Sequence, residues 1–291
     1  MNIIEIENSN GIIIEIECSG GQYMRVFGKI ANDDFLRILV LVITLTVSGF
    51  MIISFDPYNN YDINYGISVF FGLISINRNV VFTIVYFIAL PFVQLTSIYL
   101  KFENKFDNTI TTRISLRKYY FYCIRKIAMN TFIFTTCTYL ALLSMIHIYW
   151  SSVSFVPQHI FPLFSENTIQ NIMLFLITST IGNILFSLFL FSIMYYFKDR
   201  YSFSLFPVLL VLSSIIICMF LTFLLSPLVF FINDASLIKS LAFSLSPLSI
   251  IMPGLLFESS GMSEFIFGTF TYSILTFLFL NLSSKRRLIN G

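Results

Sequence analysis

Charge is scarce in this chain. Asp, Glu, Lys and Arg together make up 11% of its 291 residues, where about 25% is usual in a soluble protein. A soluble domain of this size needs charged side chains to clothe its core, and this one has too few. Histidine occurs twice and tryptophan once. The four cysteines, Cys18, Cys123, Cys137 and Cys218, include no pair with metal-ligand spacing and none in an expected outer loop, so a disulfide framework has no support. A net charge of +2 leaves no basic footprint for DNA or RNA. What the chain has in abundance is apolar: 57% hydrophobic residues, 35 of them Phe, and a mean hydropathy of +0.85. These proportions exclude a soluble enzyme, a disordered chain and a nucleic-acid binder. Lipid is the solvent for most of this protein.

A helix needs about 20 mostly apolar residues to cross the hydrocarbon of a bilayer. Six runs qualify: Phe35–Ser54, Val80–Leu100, Ala128–Trp150, Ile172–Phe197, Phe203–Leu225 and Phe265–Leu282. Backbone groups in hydrocarbon must be satisfied within the segment, so the runs read as helices; a lipid-facing barrel would alternate polar and apolar residues. The fold class expected is therefore all-α and integral to the membrane, with six transmembrane helices. Orientation follows from Lys and Arg. With both termini in the cytoplasm, the inner segments hold 15 of the 17 basic residues, and only Arg78 and Lys239 lie outside. Tyr149 and Trp150 close the third span at an interface, and Tyr195 and Tyr196 lie near the inner end of the fourth. The first span starts too late for a cleavable signal peptide, and acidic residues precede it.

The segments between the spans divide in character. The outer loops are Phe55–Asn79, Ser151–Asn171 and Ser226–Glu264. The last is the longest and still apolar, but its runs are too short to cross and are punctuated by Pro227, Pro247, Pro253 and Gly254. It reads as one or two re-entrant helices before the last span, or as a helix lying flat on the outer surface. On the inner side, Tyr23–Leu36 carries Tyr23, Phe27, Ile30 and Ala31 on one helical face, with Arg25, Lys29, Asn32 and Asp33 on the other. That pattern predicts a short interfacial helix ahead of the first span, or simply the start of that span. The 101–127 stretch has seven basic and two acidic residues. Asp107 or Asn108 can cap one short helix there, and Ser115 the next. Residues 1–22 stand apart from the 23–291 membrane domain as a cytoplasmic tail. Ile3–Asn8 and Ile12–Glu17 alternate around Gly11, and a three-residue turn would pair Ile4 with Ile16 and Ile6 with Ile14. This register opposes Glu5 and Glu15, which is unfavourable, so the hairpin packs on a partner or the segment stays a loose acidic tail.

Catalytic chemistry is missing. The Gly28-Lys29 step lacks both the earlier glycine and the following Ser or Thr of a phosphate-binding loop. His147 lies near the outer end of the third span and His159 in an outer loop, with no acidic residue inside a span to orient either. We expect no catalytic residues, no metal site and no bound cofactor. The polar residues expected within spans are neutral: Thr83, Gln94, Asn130, Thr135, Asn183, Ser213 and Ser214. They can bond helix to helix, or Thr83, Gln94, Ser213 and Ser214 can line a path. An ion-coupled carrier usually places an ionisable group at the midplane.

This layout resembles the membrane subunit of type-2 ABC exporters, the six-span permeases of bacterial drug, peptide and polysaccharide export. The resemblance rests on the helix at Tyr23–Leu36, on NTITTRISLRKYY (Asn108–Tyr120) between spans two and three, and on FSLSPLSIIMPGLLF (Phe243–Phe257) before the last span. It implies a dimeric plasma-membrane permease, driven by a separate cytoplasmic ATPase that binds ATP and Mg. The residues set against that ATPase would be Asn108, Ile110, Thr112, Arg113, Ile114, Leu116 and Arg117. Spans one, two and five of two copies would line the path for an amphipathic peptide, antibiotic or drug-like substrate. The alternatives are a membrane immunity or sensor protein that binds a peptide without moving it, and an ion-coupled carrier.

Overall fold

The structure is a computed structural model. It describes residues 3–8, 11–18, 22–25, 27–55, 66–94, 116–149, 164–165, 167–197, 199–225, 241–255 and 261–290. The chain opens with a small antiparallel sheet, strand order β1-β2-β3, built from β1 (Ile3–Asn8), β2 (Gly11–Cys18) and β3 (Gln22–Arg25). The regular elements that follow it are helices: α1 (Phe27–Phe55), α2 (Gly66–Ile74), α3 (Val80–Gln94), α4 (Leu116–Tyr149), α5 (Thr168–Ile193), α6 (Arg200–Leu225), α7 (Leu248–Ile251) and α8 (Gly261–Asn290). A 3₁₀ turn, Met194–Tyr196, follows α5.

Five of these helices, α1, α4, α5, α6 and α8, are long and apolar enough to cross a membrane. The second expected span, Val80–Leu100, is helical as α3 over 15 residues, about 22 Å of helix; residues 95–100 lie outside the described residues. The helices alternate in direction. Gly49 of α1 faces Leu142 of α4 and Phe82 of α3, so the end of α1, the end of α4 and the start of α3 lie together. Tyr120 meets Phe191 and Tyr139 meets Phe175, so α5 runs against α4. Phe189 meets Tyr272 and Tyr196 meets Phe279, so α8 runs with α5. Arg37, Lys118 and Arg125 lie exposed toward one end and Lys126 half-buried beside them; we term this the basic end and the opposite one the far end.

The core follows from this order. In α5, 61% of the apolar stretch is buried, against 17% in α6 and 17% in α8. α5 touches α4 and α8 along its length and receives α7 as well. Edge-to-face aromatics fill the contacts: Phe70 and Phe71 of α2 against Phe175, and Phe186 and Phe189 against Tyr272. α3 packs between α1 and α6.

Three expectations change. The stretch Tyr23–Leu36 does not form a separate interfacial helix. Tyr23 to Arg25 belongs to β3, and from Phe27 the chain enters α1 without a break. The N-terminal hairpin shifts by one residue: Ile3 pairs with Ile16, Ile4 with Glu15 and Glu5 with Ile14. Asn8 pairs with Gly11, and this shorter connection removes the Glu5–Glu15 opposition. Finally, the stretch 55–79 is not only an outer loop. α2, GISVFFGLI, has every residue but Ser68 buried. At nine residues it is too short to cross, so a search for spans passes over it.

Candidate functional site

Two features of the bundle interior carry polar chemistry, a seam across α3, α4 and α5 and a hairpin wedged beside it. In the seam, the Tyr86 hydroxyl donates to Asn183 Oδ1 at 3.0 Å. Asn183 Nδ2 donates to the Ser179 carbonyl at 2.9 Å. The Tyr139 hydroxyl and Ser179 Oγ are 2.6 Å apart. Ser179 Oγ in turn donates to the Ile251 carbonyl of the hairpin, so Tyr139 is the donor in the first of these two links. The result is a chain from α4 through α5 to α7. All four side chains are buried. Each link satisfies a group that would otherwise sit unpaired in an apolar interior, at a cost of about 1–3 kcal/mol.

The hairpin spans 241–255, and its backbone bonds internally. Ser246 N–H donates to the Phe243 carbonyl at 2.9 Å and Met252 N–H to the Leu248 carbonyl at 2.8 Å. The segment can therefore enter the bundle without leaving its own amides open. It reaches the middle of the neighbouring helices. Ile250 rests on Gly182 of α5 and on Gly268 of α8, Ser246 Oγ accepts from Ser214 Oγ of α6 at 3.1 Å, and the Leu245 carbonyl accepts from Tyr272 of α8 at 2.9 Å. A methyl at Gly182 would fall inside the Ile250 carbonyl. The glycine is what permits the close approach.

The exit of the hairpin is fastened at the far end. Gly254 adopts φ of 80°, a left-handed conformation that suits glycine. Its N–H donates to Glu264 Oε2 at 2.7 Å. Next to it, the Leu255 carbonyl accepts from Ser75 Oγ of the α2–α3 turn at 3.1 Å. Glu264 stands in the first turn of α8 and is 1% exposed. It is a buried carboxylate that the sequence reading placed in an outer loop.

The expected path residues are placed differently from one another. Thr83 is buried and donates to the Asn79 carbonyl at 3.1 Å. Ser214 is buried against the hairpin. Ser213 is exposed and donates to the Leu210 carbonyl at 3.2 Å. It lies in an open stripe of α6 with Leu209, Ile216, Phe220 and Phe223. Gln94 ends α3. Of the residues assigned to a partner ATPase, Leu116 and Arg117 begin α4. Asn108, Ile110, Thr112, Arg113 and Ile114 lie outside the described residues.

Among the described residues no three His, Cys, Asp or Glu side chains gather as a metal site. Cys123 and Cys218 are buried and Cys137 is exposed, and none of the three is in a disulfide. Comparison of the chain with known protein families, with curated proteins and with solved structures finds no match in any of the three.

Proposed function

We propose that this chain is the membrane-spanning subunit of an ATP-driven exporter resembling the type-2 ABC class, a multi-pass protein of a bacterial plasma membrane. It works as a dimer, has no ATPase site of its own, and is moved by a separate cytoplasmic ATPase that binds ATP and Mg. The observation that carries this reading is α4. Its 34 residues make about 51 Å of helix, where the hydrocarbon core is about 30 Å thick. The excess falls at the basic end, where Lys118, Arg125 and Lys126 sit. An unbroken helix packed on α1, α3 and α5 can serve as a lever. Displacing its basic end moves the helices it packs against.

The basic end is the cytoplasmic one by the distribution of Lys and Arg. The ATPase grips the segment that runs into α4, with Ile110, Ile114 and Leu116 as apolar anchors and Arg113 and Arg117 as charged ones. The side-by-side order α1, α3, α6 supports a path along these helices at the dimer centre. Ser213, set in the open stripe of α6, is its lining hydroxyl. The substrate is amphipathic: a peptide, an antibiotic or a drug-like molecule. Glu264 does not supply the midplane charge of an ion-coupled carrier. It lies in the first turn of α8, and its carboxylate is engaged by the Gly254 N–H.

The test is co-purification of the full chain with a cytoplasmic ATPase from the same cell, followed by the double change Arg113→Glu with Ile114→Ala. ATP hydrolysis should become uncoupled from export while membrane insertion is retained. Unaltered export by the double variant would remove the contact, and substrate transport by the purified chain with no ATPase present would remove the function.

A further inference from the structure

We propose that the basic end of α4 binds an anionic phospholipid, its phosphate held by Lys118 and Arg125 and its acyl chains lying along the same face of the helix. That face is one continuous exposed stripe. Lys118, Phe121, Arg125, Met129 and Phe132 are exposed and follow one another at three or four residues, and half-buried Thr136 leads on to exposed Leu140. Steps of three and four keep side chains on one side of a helix. Lys126 falls outside the stripe and is half-buried. Two cations therefore stand at the head of an apolar track, which is the outline of an amphiphile with a charged head.

Depth agrees with this outline. About 20 residues of helix cross the hydrocarbon, and counted back from Ile148 they end at Met129. Arg125 then lies about 6 Å outside the hydrocarbon, within a headgroup layer of roughly 5–8 Å. Lys118 stands about 10 Å further out, with a stem long enough to reach back along the stripe. Arginine offers a planar fork that matches a phosphate, and lysine adds a point charge. Among the described residues neither Lys118 nor Arg125 has an ion-pair or hydrogen-bond partner, and α4 has no Asp or Glu along its length. A zwitterionic headgroup would bring a cation that this helix has no carboxylate to receive, whereas an anionic one brings only the charge the two cations attract. A water-soluble partner could meet the cations but not the apolar stripe that follows them into the hydrocarbon. The bound headgroup fixes how far α4 stands out of the bilayer.

Native mass spectrometry of the full-length protein reads the site. The protein is released from lipid nanodiscs holding equal amounts of phosphatidylglycerol and phosphatidylcholine with the same acyl chains. Among the retained lipids, phosphatidylglycerol should be enriched roughly tenfold over phosphatidylcholine in the wild type. Lys118→Gln and Arg125→Gln should each lower the enrichment to about threefold, and the two together should abolish it. Arg78→Gln, which removes an exposed cation at the far end, should leave it intact. Equal retention of the two lipids by the wild type overturns the site, whether or not any variant folds. So does an enrichment that survives the double change, because the lipid is then held elsewhere. An enrichment that Arg78→Gln lowers as much as Arg125→Gln also overturns it, because the lipid then answers to net charge and not to a site. The measurement needs no ATPase, so its failure is separate from failure of the exporter reading.

Discussion

Gly182 and Gly268 flank Ile250 from two helices, yet they differ in what a methyl group would meet. At Gly182 it would strike the Ile250 backbone carbonyl; at Gly268 it would first strike Ser249 Oγ, the tip of a side chain that can rotate. Gly182→Ala should therefore push the hairpin off α5 and cost about 3 kcal/mol, and Gly268→Ala about 1 kcal/mol. Thermal unfolding of the two variants in the same detergent checks the order. Thr138 points the other way. Its hydroxyl is buried without a hydrogen-bond partner among the described residues, so Thr138→Val, which keeps the shape and drops the polar group, should raise stability by about 1 kcal/mol. Single residues were legible in the sequence where their chemistry is local and opaque where it depends on a neighbour. Thr83 bonds locally to the Asn79 carbonyl four residues earlier, whereas Asn183 and Ser214 could be named as polar groups in apolar runs but their partners Tyr86 and Ser246 come from packing. Glu264 was missed because a charge normally marks the end of a span. The last apolar run therefore begins at Phe265, although the hairpin engages the Glu264 carboxylate through the Gly254 N–H.

Elements whose length is dictated by lipid could be read from the sequence, and elements whose burial is dictated by other helices could not. α1, α4, α5, α6 and α8 were visible as long apolar runs. The hairpin showed itself as apolar text that Pro247 and Pro253 keep from forming one crossing helix. α2 left no such trace, since an apolar run of nine residues is common in soluble cores and loops alike. Termini of elements carry local signals of their own. Asp199 stands at the start of α6, where its carboxylate accepts the Ser202 N–H at 2.8 Å and the Ser202 hydroxyl at 2.9 Å. These bonds, the backbone one first, hold its carboxyl below the usual range of an aspartate. A carboxyl whose pKa is lowered by folding adds stability at every pH above its unfolded value, about 3.9, and loses it as the pH falls through the folded value. The first turn of α6 should thus keep its protection from hydrogen exchange down to about pH 4 and fray below it. Asp199→Ala should fray at neutral pH, with no further change on acidification.

At the scale of the molecule the bundle has an unequal distribution of contacts. α5 is enclosed, whereas α1 and α6, on either side of α3, present open apolar faces: Leu36, Val40, Ile43 and Val47 on one, and Leu209, Ile216, Phe220 and Phe223 on the other. α8 is also open, through Phe270 and Phe277, but it packs on α5 and α7, away from α3. Lipid satisfies any of these faces equally well, so apolar character does not tell them apart. A hydroxyl does not tell them apart either, since Thr44 of α1, Ser213 of α6 and Ser273 of α8 are all exposed in such stripes; what separates α6 from α8 is that α6 packs on α3, beside α1. A dimer whose path runs between the copies brings the two α6 stripes near the two-fold axis and leaves α8 at the periphery, because an isologous interface sets each face against its own copy. Cysteine crosslinking in native membranes separates the two. In a chain with Cys18, Cys123, Cys137 and Cys218 replaced by alanine, Ile216→Cys should give a disulfide-linked dimer on mild oxidation, and Phe277→Cys should remain monomeric under the same treatment. The reverse pattern would place α8 at the axis and take Ser213 out of the path, since the α6 stripe would then face only lipid.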